Sequence, residues 1–254
     1  MPVDAPFTFL QLHEIAEAEH RILDPFTDDQ LMTLAAAAHV GSGTRILDLA
    51  CGKGEMLCRW AQEFGTTGHG IDISATFLAA ASRRAEDLHV ADRVSFAHGD
   101  AAEHGAEPAS FDVVSCLGAT WIGGGVAGTL GLMAPAVRPD GLLLVGEPFW
   151  AQEPPASAYE SGAIGAEEFT TLAGTAARFA AAGMELVEMV LADGASWDRY
   201  EARQWWSVTQ WLQANPDEPR REQVCDFRDR SRALYLDYRR RCLGWGVFVL
   251  RPTG

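Results

Sequence analysis

Two kinds of apolar segment alternate along this chain. Short, nearly unbroken runs lie at Ile46–Leu49, Phe111–Leu117, Leu142–Val145 and Gly244–Leu250, and between them lie longer stretches whose apolar residues recur every three or four positions. Compact apolar runs bounded by turn residues predict buried strands, and the longer period predicts helices packed on one face. Their alternation predicts an α/β fold around a mainly parallel sheet. Strands are expected at 46–49, 69–73, 94–98, 111–117, 142–145, 184–191 and 244–250. Helices are expected at 9–23, 27–40, from Glu55 onward, at 74–88, 126–137 and 167–182. Thr27 with Gln30 three residues on is a capping box, and Asp24-Pro25 is a stop signal before it. Arg138-Pro139-Asp140-Gly141 predicts a tight turn into the fifth strand.

One connection is too long for its job. Residues 192–243 separate the last two strands, where a short loop normally suffices. Two helices are expected there, 196–215 with Trp197, Tyr200, Trp205, Trp206 and Trp211, and 219–241 with Val224, Phe227, Ser231, Leu234 and Tyr238 on one stripe. They are expected to pack on each other and on the sheet and to offer aromatic walls to a pocket. The chain then divides into a helical lid (1–42), a core (43–191), the pocket-lining insertion (192–243) and a last core strand (244–254).

Composition narrows the partners. With 254 residues and 48% hydrophobic content the chain can bury a sizeable core. A formal charge of −15 disfavours nucleic acid, whose binding rests on neutralising phosphates. No apolar run has the length of a membrane span, and the first residues lack the basic-then-apolar order of a signal peptide. The five cysteines form no C-x-x-C pair, so neither a disulfide framework nor a metal site is expected. The expected setting is the cytoplasm, and the expected partner is a small molecule.

The chemistry centres on residues 45–56, where the apolar strand ends in Ala50-Cys51-Gly52-Lys53-Gly54 and a helix begins at Glu55. Glycines at such a turn let a ligand approach the main chain. The dinucleotide pattern G-x-G-x-x-G fails, because position 57 is Leu57 and, one register earlier, position 50 is Ala50. Asp72 ends the second strand 20 residues beyond Gly52, where a carboxylate can accept both hydroxyls of a ribose. Asp100 follows the third strand, so Asp48, Asp72 and Asp100 converge on one crevice at the strand ends.

Asp48-x-x-x-Gly52-x-Gly54 with Asp72 and Asp100 in this order resembles the class I S-adenosylmethionine-dependent methyltransferases. The resemblance implies a three-layer, Rossmann-like, seven-stranded sheet with an antiparallel last strand. It also implies S-adenosylmethionine held by Asp48, Ala50, Gly52, Gly54, Asp72, Ile73, Phe77, Asp100, Ala101, Leu117 and Trp121. The Asn/Asp-Pro-Pro-aromatic motif of enzymes acting on base amines and glutamine amides is missing after the fourth strand. Glu19-His20-Arg21-Ile22, Gly118-Ala119-Thr120-Trp121-Ile122, Gly146-Glu147-Pro148 and Gly244-Trp245-Gly246-Val247-Phe248 are similar to a bacterial subgroup related to the quinone-biosynthesis methyltransferases. That subgroup brings no acceptor with it. His20 and Glu147 are the candidate bases, and Trp150, Tyr200 and Trp205 the candidate walls of the acceptor pocket. A nicotinamide-dependent oxidoreductase, or a protein that binds S-adenosylmethionine without turnover, are the alternatives.

Overall fold

The apolar runs pair into a single seven-stranded sheet in the order β3-β2-β1-β4-β5-β7-β6. A computed structural model describes residues 5–160 and 169–253. The strands are β1 (Arg45–Leu49), β2 (Thr67–Asp72), β3 (Val94–His98), β4 (Phe111–Leu117), β5 (Val137–Trp150), β6 (Met184–Leu191) and β7 (Leu243–Pro252). β1 pairs in parallel with β2 and β4, whereas β7 runs antiparallel to both β5 and β6. Reversal of strand order at β1 and β4 opens a crevice at their carboxyl ends, where ligands of such sheets bind.

Helices cover both faces, because each strand's side chains point alternately to either side. The helices are α1 (Phe9–Ala16), α2 (Asp28–Ala37), α3 (Glu55–Phe64), α4 (Ala75–Asp87), α5 (Val126–Met133), α6 (Ala156–Glu160), α7 (Leu172–Ala181), α8 (Gly194–Ala214) and α9 (Arg221–Leu234). Ile46, Val113 and Leu144 pack with Leu34 of α2 and Leu57 and Trp60 of α3. On the opposite face Leu47, Val114 and Val145 pack with Leu130 and Met133 of α5 and Phe179 of α7. A third apolar cluster joins α1 to the insertion through Leu12, Ala16, Val208, Leu212 and Val224. Among the described residues no helix is long and apolar enough to cross a membrane.

Several boundaries differ from expectation. α1 stops at Ala16, and a non-helical segment occupies residues expected to continue it to Leu23. α5 ends at Met133 rather than at Val137, which already belongs to β5. The expected turn 138–141 lies within β5, past a register shift between Phe111 and Val113. Arg138 pairs there with Asp112, whose other oxygen accepts the Arg45 N–H at 2.8 Å, so the segment is held along the sheet. The helix expected from Glu167 begins, among the described residues, at Leu172 behind a Thr171 cap, and Glu167 itself lies outside the described residues. The second insertion helix breaks into a π turn over Tyr235–Arg239. That wider turn aligns residues five apart, and Tyr235 and Arg240 both reach Asp198, at 2.7 and 2.8 Å.

Candidate active site

The glycine turn after β1 is fastened to the end of β2 by one carboxylate. Asp72 Oδ2 accepts the Gly52 N–H and Oδ1 accepts the Ser74 N–H, both at 2.8 Å. Each oxygen keeps a second lone pair for a ligand. Gly52 and Gly54 sit at φ 55° and 64°, in the left-handed region that glycine tolerates. A Cβ on Gly54 would lie 2.6 Å from the Phe96 ring, so this glycine serves close packing of α3 rather than lining the site. Asp48, on β1, is buried and accepts the Ser115 hydroxyl at 2.7 Å, and burial pushes its carboxyl up to about 7.

These strand ends open into a cavity of about 380 Å³ lined by Asp48, Ala50, Gly52, Asp72, Ile73, Phe77, Asp100, Ala101, Leu117 and Trp121, all expected there. Ile73 and Trp121 expose apolar surface, at 46% and 68%. Tyr200 of α8, expected as a wall of the acceptor pocket, lines this cavity.

The side chains of the far wall were not foreseen. Glu17, Arg21 and Asp24 of the segment after α1 enter the cavity, together with Lys53 of the turn. Lys53 Nζ donates to the carbonyls of Glu17, Ala18 and His20 at 2.7, 2.9 and 2.7 Å, latching that segment over the cavity. Glu17 Oε1 accepts the Tyr200 hydroxyl at 2.7 Å and the Gln204 amide at 2.6 Å, which ties the same segment to the insertion. Burial pushes the Glu17 carboxyl up to about 7. Asp24 lines the cavity close to Gly118, a Cβ on which would lie 3.1 Å from Asp24 Oδ1. Burial, then Asp48 and Glu17, hold the Asp24 carboxyl well above the usual range. Among the described residues it makes no hydrogen bond or ion pair. In sequence, Asp24-Pro25 signals only a helix stop and Lys53 only a residue between two glycines.

Besides Gly54, four expected site residues lie elsewhere. His20 lies outside the cavity wall: its Nε2 is 3.0 Å from the Tyr200 carbonyl and donates there, and burial lowers the ring to about 4. Its Nδ1 sits 3.1 Å from Glu17 Oε2, and neither buried atom has a hydrogen-bond partner. This neutral ring supports the latched segment. Glu147 lines a second cavity of about 860 Å³, which adjoins the first through Gly118 and Trp121. Trp150 packs against Phe169 with ring centres 5.3 Å apart, and Trp205 against Tyr235 at 5.9 Å. Neither tryptophan lines either cavity.

A methyltransferase domain model matches residues 46–141. A solved S-adenosylmethionine-dependent methyltransferase from Geobacter sulfurreducens, in complex with S-adenosyl-L-homocysteine, is 46% identical to this chain. It superposes with a TM-score of 0.90 over 98% of this chain and 99% of that one. The chain belongs to the S-adenosylmethionine-dependent methyltransferases. A second such methyltransferase, from Thiobacillus denitrificans and also in complex with S-adenosyl-L-homocysteine, is 44% identical with a TM-score of 0.89, covering 98% of this chain and 100% of that one. The uncharacterized protein YjhP of Escherichia coli is 46% identical over 94% of this chain and 97% of its own length.

This methyltransferase uses S-adenosylmethionine, and the cavity suits that molecule's charge. The cofactor carries a sulfonium and an ammonium, and the wall offers Asp24 without a protein donor and Asp48 with only Ser115. Cofactor binding is therefore expected to release protons. Near pH 7 the carboxyls of Glu17 and Asp48 are each partly protonated, and a bound cation lowers both. Affinity for S-adenosylhomocysteine should rise between about pH 6 and about pH 8, by roughly tenfold per proton released per unit. Calorimetry in buffers of different ionisation enthalpy measures that proton count. Without cofactor the sign reverses. Carboxyls raised in the folded state favour folding at low pH, and that contribution is lost as pH rises through about 7.

Proposed function

We propose that this methyltransferase transfers its methyl group to a small molecule, with the cofactor held in a chamber closed by the segment after α1 and by α8. The observation that carries the proposal is the latch of Lys53 on three carbonyls, which brings the N-terminal segment over the strand ends together with Tyr200 and Gln204. A closed chamber excludes water, and the acidic chain, with its net charge of −15, is a poor partner for nucleic acid. Residues 1–42 and 192–243 act as its lid and wall.

Asp72 is assigned to the ribose hydroxyls, and Ile73, Phe77, Asp100 and Ala101 to the adenine. Ala50, Gly52, Leu117, Asp48 and Asp24 surround the methionine end, and Trp121 stands at the rim, where an aromatic face attracts a cation. Once bound, the cofactor supplies a methyl group on a sulfonium that an acceptor lone pair displaces in line. The protein's share of catalysis is then placement at near-attack distance. A base is needed only for an acceptor that arrives protonated.

Asp24→Asn is expected to weaken S-adenosylhomocysteine binding by about tenfold, the scale of one charge-assisted hydrogen bond. Binding of 5′-methylthioadenosine, which lacks the amino-acid end, should not change. Equal losses for both ligands would move Asp24 away from that end. The small-molecule reading is tested with methyl-labelled cofactor and fractionated cell extract. Label in the small-molecule fraction supports it, and label confined to protein or nucleic acid overturns it.

A further inference from the structure

We infer that the second cavity is the acceptor site and that it takes a small acid bearing an N–H or O–H group. This rests on the reading that the first cavity holds the cofactor and that the acceptor is small.

Position supports the assignment first. The two cavities share Gly118 and Trp121, so a molecule in the second reaches the methionine end of the first without crossing the sheet. Gly118 N–H donates to the Gly146 carbonyl at 3.0 Å, which sets Glu147 of β5 beside this junction. Size fits as well, since about 860 Å³ is within the range of small-molecule pockets. Trp121, Val126, Pro148 and Phe169 give it apolar walls.

Two opposite charges then define what fits. Glu147 is 6% exposed, and its Oε2 accepts the Thr120 hydroxyl at 2.7 Å. Its Oε1 has no protein partner among the described residues, and a carboxylate oxygen accepts but cannot donate. This open acceptor on the cavity wall can take a donor from a ligand. Arg178 of α7 lines the same cavity and makes no ion pair among the described residues. Burial raises the Glu147 carboxyl, and the Thr120 hydroxyl and then the Arg178 charge offset part of that rise, so the two charged groups share one electrostatic field while standing too far apart to bond. A guanidinium is suited to a carboxylate through paired N–H donors. α5 also begins in this cavity, at Val126, with no side-chain cap on its first turn, which adds the positive end of a helix. A ligand with an anion at the Arg178 side and an N–H or O–H at the Glu147 side satisfies both groups. It also sets its nucleophilic atom at the junction with the cofactor cavity.

The probes are 3-aminobenzoate and 3-hydroxybenzoate, each beside its methyl ester, with benzoate as the acid lacking a donor. Each is titrated into the protein saturated with S-adenosylhomocysteine and followed by calorimetry. The two acids should bind the wild type at least tenfold more tightly than their esters. Arg178→Gln should remove that preference while leaving the affinity for S-adenosylhomocysteine unchanged. Glu147→Gln should bring 3-aminobenzoate down to the affinity of benzoate. Acids that do not bind, esters that bind as well as acids, or an Arg178→Gln protein that keeps the preference would each overturn the inference. Failure of S-adenosylhomocysteine itself to bind would instead overturn the placement of the cofactor.

Discussion

Asp72→Ala is expected to cost about 3 kcal/mol of S-adenosylmethionine affinity, roughly 150-fold, on the scale of hydrogen bonds to a charged group. The carboxylate acts twice. In the proposed assignment it offers lone pairs to the ribose, and it holds the Gly52 and Ser74 N–H groups that shape the turn. Alanine removes both the ligand bonds and the staple, so the loss should exceed that of Asp100→Ala. Asp100 is exposed, and its Oδ1 is already engaged by the Ala102 N–H at 2.9 Å. Calorimetric titration of both variants with S-adenosylhomocysteine makes the comparison. Equal affinities for Asp72→Ala and wild type would remove Asp72 from the ribose.

Lys53→Met should have the largest effect on stability. One ammonium satisfies three carbonyls of the segment after α1, and methionine fills similar space without donating any hydrogen. Bonds from a charged donor are worth about 1.5–3 kcal/mol each, and part is recovered because the latch is half-buried and water can reach it. A net loss of about 3 kcal/mol corresponds to a fall of roughly 6–12 °C in melting temperature for a chain of this size. Hydrogen exchange should show lost protection at residues 17–20, with β1 and β4 unaffected. Tyr200→Phe should do less, because Gln204 still holds Glu17 at 2.6 Å. If melting and exchange stayed at wild-type values, the latch would be a contact without energetic weight.

Sheet and cofactor cavity were legible because their signals are local. Val94–His98, Phe111–Leu117 and Met184–Leu191 are strands with the boundaries their apolar runs predict, and the Thr27/Gln30 capping box opens α2 as expected. Asp48, Asp72 and Asp100 stand at strand ends, and parallel strands in one sheet bring their ends to one edge whatever the side-chain details. Ala50, Ile73, Phe77, Ala101, Leu117 and Trp121, which the family resemblance implied, line the cavity at that edge.

The expected site residues that lie elsewhere do so through packing between distant segments. Glu147 lies within β5, which runs on to Trp150 rather than ending at Val145, and alternation along the strand turns it to the α5 and α7 face and so to a different cavity. Trp150 and Trp205 are aromatic residues in the right neighbourhood whose rings were spent on Phe169 and Tyr235. His20 has the chemistry of a base, yet burial keeps it neutral behind Glu17. Lys53, Glu17 and Asp24 carry no motif of their own. They meet only because α1 packs on α8 and α9 through Leu12, Ala16, Val208, Leu212 and Val224.

By itself, then, the sequence determined the α/β sheet, its glycine turn and the row of acids at the strand ends, because short-range period and spacing carry that information. The tertiary structure alone decided which side chains latch the segment after α1, which carboxyls line the first cavity and which lines the second. Those outcomes depend on contacts between residues far apart in the chain, 187 positions for Glu17 and Gln204, and no local pattern encodes them.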